Sequence, residues 1–223
     1  MRKLGLVLGL LAGVAFVSAG LAGDGYGDKK LGDIKSKCSC PSNTARTVAW
    51  CVPCNGGLAF GHQTKSEKLV AALAGHQAKE DGIKCGGCKT AFKNSADCVH
   101  CKKGFRHGFE FHSPVSLALA KGDIVDASTI DCPRCKTIAK EGKGECTGCK
   151  VGMVASLMYK DKEDFKSAKK ANTILAKAVE TAPKCEGCAV AMVSDGTCEA
   201  CKVSFKEGKK VTDAKGAKMG SGY

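Results

Sequence analysis

Residues 132–149 read CPRCKTIAKEGKGECTGC, and this stretch decides how the whole chain is interpreted. A Cys-x-x-Cys pair lies at each end, with ten residues between the two pairs. Residues 141–144, Glu-Gly-Lys-Gly, are typical of a turn. We therefore predict a β-hairpin that carries one cysteine pair at the foot of each strand.

The stretch is one of four similar quartets that together contain all 16 cysteines of the 223-residue chain. Successive quartets begin 47, 47 and 53 residues apart, and nine or ten residues separate the two pairs within each quartet. Such self-similarity is typical of tandem modules. The first quartet differs because only Ser39 separates its first two cysteines. The quartets are Cys38, Cys40, Cys51 and Cys54; Cys85, Cys88, Cys98 and Cys101; Cys132, Cys135, Cys146 and Cys149; and Cys185, Cys188, Cys198 and Cys201.

The residues that follow the quartets also repeat. The third position after the last cysteine is Gly57, Gly104 or Gly152, with Ser204 in the last copy, and an apolar residue comes next. A third short strand is predicted at this place, over residues 58–60, 105–111 and 153–159. Ser66 and Ser113 are typical helix N-caps, and a run with helical spacing from Phe165 ends before Pro183, so short helices are predicted to join the modules.

Four thiolates that converge can hold one tetrahedral ion, and Zn²⁺ prefers such closed sites when its role is structural. We therefore predict four Zn²⁺ sites with all 16 cysteines as metal ligands, and iron as an alternative metal. A disulfide within a Cys-x-x-Cys pair would constrain the unfolded chain very little, because the loop it closes is so short. Disulfides between the two pairs of a quartet stay open, since exported cysteine-rich chains commonly use them.

The quartets that begin at Cys85, Cys132 and Cys185 resemble zinc-ribbon and rubredoxin-like modules. The resemblance covers about 18 residues in each module and does not extend into the linkers. It implies a small β fold organised by one metal ion, usually zinc and sometimes iron. It implies no particular activity, because such modules occur in proteins of many functions.

The N-terminus has the composition of a secretory signal. Arg2 and Lys3 precede an apolar run and then small residues, although an uncleaved membrane anchor stays open because the run is almost long enough to span a bilayer.

The scarcity of aromatic residues favours small stapled units over one large apolar core. The predicted segments are 1–22, signal peptide or anchor; 23–37, flexible leader; 38–84, 85–131 and 132–184, modules with linker helices; 185–205, a terminal capping module; and 206–223, a disordered Lys/Gly-rich tail.

The formal net charge is +13, but only four of the 35 basic residues are arginine. Because arginine provides most specific contacts to bases and phosphates, this balance argues against specific nucleic-acid recognition.

No Cys-x-x-Cys pair is followed by histidine, which excludes c-type haem attachment. Thiol exchange requires a pair at a helix N-terminus, and the turn-rich surroundings disfavour it. His107, Glu110 and His112 are a candidate for a second metal site, but a regular strand would place His107 and Glu110 on opposite faces, which favours ordinary surface or half-buried histidines.

The sequence therefore predicts a small β-rich (α+β) tandem repeat of four zinc-ribbon-like hairpin modules joined by short helices. The chain is interpreted as a non-enzymatic, exported scaffold in the periplasm, at the envelope or outside the cell. Its partner would be an unidentified macromolecule, either a protein or an envelope component, with membrane contact only through an uncleaved N-terminus. Open alternatives are an iron electron-transfer or thiol-exchange protein, a metal buffer or carrier, and a metal-free disulfide scaffold.

Overall fold

The structure, a computed structural model, describes residues 48–211. Within this range the protein is an α+β fold of four small antiparallel sheets and six α-helices. The helices are α1 Glu67–Leu73, α2 Gly86–Lys93, α3 Pro114–Ala120, α4 Pro133–Glu141, α5 Lys162–Thr181 and α6 Glu186–Ser194. The strands are β1 Val48–Cys51, β2 Gly56–Ala59, β3 His62–Thr64, β4 His76–Gln77, β5 Gly104–Arg106, β6 Phe109–Phe111, β7 Asp123–Ile124, β8 Gly144–Cys146, β9 Val151–Val154, β10 Leu157–Tyr159, β11 Thr197–Cys198, β12 Val203–Lys206 and β13 Lys209–Val211.

We assign the elements to modules by the cysteine quartets. Module 1 comprises β1–β3 and α1; module 2 comprises α2, β5, β6 and α3; module 3 comprises α4, β8–β10 and α5; module 4 comprises α6 and β11–β13. Several predictions fall outside the described residues: the signal segment, the leader, Cys38, Cys40 and the part of the tail after Val211. Module 4 extends to Val211, beyond the boundary that the sequence suggested at residue 205.

The prediction of a hairpin between the two cysteine pairs is wrong for modules 2, 3 and 4. The first pair of each opens a helix instead, with Cys85, Cys132 and Cys185 as the N-caps of α2, α4 and α6. The turn-forming residues end these helices, and Gly142 and Asp195 both adopt the left-handed conformation at the C-cap. Residues that tolerate positive φ serve helix ends and hairpin turns equally well, so their presence alone does not distinguish the two structures.

A tight hairpin follows the second cysteine pair of every module. Its two strands are joined by a two-residue turn in which both residues have positive φ, the type I′ geometry that matches the twist of paired strands. The single third strand predicted over 105–111 and over 153–159 is therefore two strands in each case. The turns are Phe60-Gly61, His107-Gly108, Ala155-Ser156 and Glu207-Gly208.

The repeated glycine after the second cysteine pair makes room for the linker helix. A Cβ atom added at Gly57 would lie 2.5 Å from Val70 of α1, and one added at Gly152 would lie 2.3 Å from Phe165 of α5. Such distances are far below van der Waals contact, so only glycine allows each helix to pack this closely on its own module. Module 4 has no following helix among the described residues, which explains why Ser204 occupies the equivalent position.

The predicted linker helices form, and their caps are as expected. The Ser66 and Ser113 side chains accept hydrogen bonds from the backbone N–H groups of Leu69 and Ser116, respectively. Helix α5 ends at Thr181, just before Pro183.

The modules share one apolar core, contrary to the expectation of separate small cores. Buried residues from all four modules contribute to it, among them Phe60, Leu119, Leu157 and Leu175. Each of modules 2, 3 and 4 has in addition a small cluster around its cysteines. The chain buries enough apolar surface for a common core because the predicted linker helices α1, α3 and α5 lie at its centre.

Module 4 is more than a terminal cap, because its helix α6 lies in the interior of the assembly while its strand β13 is exposed. Its helix α6 packs against α1, α3 and α5. Ala189 and Val193, one turn apart on α6, are fully buried in the shared core, whereas Ala191 contacts the module's own cysteine cluster. The Ser113 hydroxyl also donates a 2.6 Å hydrogen bond to the Val193 carbonyl. Helix α6 thus connects a cysteine cluster directly to the shared core.

Candidate metal centres

Three of the four predicted quartets converge in space. In each of modules 2, 3 and 4, the four Sγ atoms all lie within 4.8 Å of one another. Individual separations include 4.0 Å for Cys85–Cys98, 3.9 Å for Cys132–Cys146 and 3.7 Å for Cys185–Cys198. The twelve cysteines of these three clusters are free thiols.

These separations fit a zinc ion. Four sulfur atoms at about 2.3 Å from a tetrahedral Zn²⁺ lie about 3.8 Å from one another. The observed Sγ–Sγ distances fall on either side of this value, and each cluster supplies four soft sulfur donors with no other ligand-forming side chain among them. The clusters are therefore compatible with zinc-ribbon-like centres, each of which could hold one metal ion.

The first cysteine of each cluster is placed to become a thiolate. At the start of α2, a hydrogen bond from the backbone N–H of Cys88 lowers the pKa of Cys85 to about 7. The same bond from Cys135 lowers the pKa of Cys132 to about 7. In module 4 the N–H of Cys188 lies 3.4 Å from Cys185 Sγ, and the pKa of Cys185 is again about 7. Helix N-termini stabilise anions, which makes the first cysteine a good metal ligand.

The second cysteine of each pair at a helix start favours the neutral thiol instead of the thiolate. Burial raises the pKa of Cys88, Cys135 and Cys188. A buried thiolate is costly unless a cation lies beside it. The four sulfurs together therefore favour the bound state of a metal ion, which would supply that missing positive charge.

The second pair of each cluster lies in a tight turn, which joins two strands in modules 3 and 4 and is closed by the Asp97–Gly104 bridge in module 2. The residue after its last cysteine has positive φ in all three modules: 53° at Lys102, 54° at Lys150 and 54° at Lys202. This conformation costs energy for lysine and is maintained by the surrounding turn. The last cysteine of each cluster is exposed to solvent, whereas the third is buried.

Module 1 shows only the second half of this arrangement. Asn55 follows Cys54 with a φ of 45°, as in the other turns, and both Cys51 and Cys54 are buried. Because Cys38 and Cys40 lie outside the described residues, the fourth centre stays a prediction.

The histidines do not add a second kind of site within the described residues. His107 lies in a hairpin turn, while Glu110 accepts a 2.7 Å hydrogen bond from Lys103 and its carboxylate oxygen lies 2.8 Å from His112 Nε2. The Glu110 hydrogen bond raises the pKa of Lys103. Between Val48 and Val211, only the three cysteine clusters bring together three or more metal-ligating side chains closely enough to share an ion.

Sequence reasoning missed the helices that carry the first pairs. One signal was present: Cys88 and Ala91, and likewise Cys135 and Ile138, are apolar residues three positions apart, and each pair is buried on one helix face. Pro133 directly after Cys132 is a further indication, since proline is favoured in the first turn of a helix.

No protein-family model, curated protein or solved structure matches the chain. Among residues 48–211, no helix has the length and apolar character needed to cross a membrane.

Proposed function

We propose that the protein is an exported, non-enzymatic scaffold whose modules are held together by zinc, with one ion in each cysteine quartet. The proposal rests on one observation: twelve cysteines form three clusters with Sγ–Sγ distances suited to a tetrahedral ion. Four protein ligands fill the coordination shell of Zn²⁺ and leave no position for a substrate, as is typical of structural rather than catalytic zinc.

The small size of the cluster cores supports a structural role for the metal. The cluster core of module 2 combines Cys88 and Cys98 with only two other buried residues, Ala91 and Phe105. A core of this size contributes too little apolar burial to hold a module together without a staple. Metal binding would supply that stabilisation, so folding of each cluster and metal affinity are coupled.

The first test is metal content, paired with a count of reactive thiols, on protein isolated anaerobically from its own compartment. We expect four zinc ions per chain and thiols that react only after a chelator is added. Protein with all thiols oxidised and no metal would overturn the proposal. Red colour from iron would instead indicate electron transfer. N-terminal sequencing of the same material tests export, since cleavage near residue 22 is expected.

Thiol–disulfide exchange is the second candidate, and the helix-start cysteines favour it. Cys85, Cys132 and Cys185 combine a pKa of about 7 with partial exposure, as reactive thiols require. In this reaction two cysteine thiols would pass two electrons and two protons to a substrate disulfide and themselves become a disulfide. Reduction of insulin by the zinc-loaded protein would support this function, whereas activity seen only after zinc removal would favour the scaffold.

A further inference from the structure

The last strand of each module in chain order is the second strand of the hairpin that follows the second cysteine pair, namely β3, β6, β10 or β13. This second hairpin strand has two different environments. In modules 2 and 3 it lies inside a sheet, because β4 pairs with β6 and β7 pairs with β10. Strands β4 and β7, which we call the added strands, each come from the segment that precedes the first cysteine of their module. In module 4 the equivalent segment is the end of α5, so no described strand pairs with the outer edge of β13.

The edge of β13 is more accessible than the other edge of this type, β3. Strand β3 lies beside α5, where His62 Nε2 is 2.9 Å from Asn172 Oδ1, and its Thr64 is buried. All three residues of β13 are exposed, including Val211, which is 43% exposed. Among the second hairpin strands of the described residues, β13 is therefore the one that an incoming chain can reach most easily.

The hydrogen-bonding groups of Lys210 point to this open edge. In a hairpin with a two-residue turn, the residues next to the turn, here Lys206 and Lys209, bond to each other. The following residue directs its backbone N–H and C=O away from the partner strand. In modules 2 and 3 this position is held by Glu110 and Met158, which pair with the added strands.

The hairpin that carries the edge is already held in place. Glu207 Oε2 lies 2.5 Å from Lys170 Nζ on α5, and the Glu207 N–H donates a 2.6 Å hydrogen bond to Asp195. Gly208 packs against Ile174, since a Cβ atom there would lie only 2.7 Å from that side chain. A preorganised edge loses little conformational entropy when a partner binds.

The charge of the edge selects the partner. Lys206, Lys209 and Lys210 are all exposed, and like charges opposite one another across strands are destabilising. A second copy of β13 would place lysine against lysine, whereas an acidic segment would form ion pairs. The added strand of module 3 offers an internal example, with Asp123 of β7 reaching to 3.7 Å from Lys160.

We propose that the outer edge of β13 docks an extended acidic segment of a partner protein, which adds a strand to module 4. Main-chain hydrogen bonds would supply affinity and the lysines would supply specificity, as in other cases of strand addition. This inference rests on the proposed scaffold function, for which it names a partner class.

The test is an NMR titration of the zinc-loaded chain with the probe peptide acetyl-Thr-Glu-Val-Asp-Val-Thr-amide. We expect shifts and slowed amide exchange centred on residues 209–211, and none with a peptide in which lysine replaces the two acids. Shifts spread over other lysine-rich surfaces, or no shifts at 209–211, would overturn the proposal. So would self-association of the free chain through this edge, measured by sedimentation.

Two substitutions separate backbone pairing from simple charge attraction. Lys210→Ala removes the charge but keeps the N–H, and we expect affinity to fall about threefold. Lys210→Pro removes both, and binding should be lost, because an outward N–H is needed for the added strand. Equal binding by the two variants would contradict strand addition. Metal content measured on both variants distinguishes this failure from failure of the zinc scaffold itself.

Discussion

Loss of the proposed metal centre in module 4 should damage the whole protein, whereas loss of the proposed centre in module 2 should not. The perturbations are Cys188→Ser and Cys88→Ser, which remove the same ligand from equivalent helices. Helix α6 packs against three core helices, whereas the buried residues of α2 belong, within residues 48–211, to the cluster of its own module and not to the shared core. Without its metal, α6 would lose the contacts that hold it at its N-terminus.

The size of the difference follows from the residues that α6 contributes to the shared core. Val193 and Ala189 are both 0% exposed. Full burial of a valine side chain is worth about 1.5–3 kcal/mol, and the alanine methyl adds about 0.8 kcal/mol. Detachment of α6 should therefore cost the shared core about 3 kcal/mol. For a chain of this size, such a loss lowers the melting temperature by about 6–12 °C.

The assay is thermal unfolding followed by the fluorescence of Trp50. This is the single tryptophan of the chain, and it lies in β1 of module 1, far in sequence from both substitutions. Its transition should shift in Cys188→Ser and stay unchanged in Cys88→Ser, while each variant binds one zinc ion fewer. Equal shifts in the two variants, or no shift in Cys188→Ser, would refute the argument that α6 joins a metal centre to the core.

Three further predictions follow from the geometry. Gly152→Ser should destabilise module 3 by about 1–3 kcal/mol through overpacking against Phe165, measured by urea unfolding. The control is Gly148→Ser, because an added Cβ atom at Gly148 has nothing within 4 Å. This control should leave the urea midpoint unchanged. Cys132→Ser should abolish metal binding in module 3, and native metal stoichiometry in that variant would contradict the proposed ligand set. In metal-stripped protein that stays folded, iodoacetamide should label the first cysteine of each cluster fastest. Because a pKa of about 7 leaves these thiols as thiolates above that pH, their labelling should be lost as the pH falls through 7. Peptide mass spectrometry measures the labelling at each cysteine. Uniform labelling of all cysteines would argue against the helix-start effect.

Cysteine spacing alone identified twelve residues that meet in three clusters. This was possible because a Cys-x-x-Cys pair is a local feature: two residues between the cysteines bring both sulfurs to one side of a turn or helix start. The helices were missed because Asn94-Ser95, Gly142 and Asp195-Gly196 are as suitable for hairpin turns as for helix ends. The spacing of Cys88 with Ala91 and of Cys135 with Ile138, together with Pro133 after Cys132, distinguishes the two.

The sequence by itself determined the local chemistry of this protein: which cysteines form the three clusters, that Ser66 and Ser113 cap two linker helices, and that a third helix ends before Pro183. These properties depend on residues close together in the chain. Only the tertiary structure decided that α1, α3, α5 and α6 meet in one core, and that β4 and β7 complete two sheets while no strand within residues 48–211 pairs with the outer edge of β13. Such contacts join segments that are far apart in the chain, as α1 and α6 are, and their apolar patterns are compatible with many partners until the whole chain is packed.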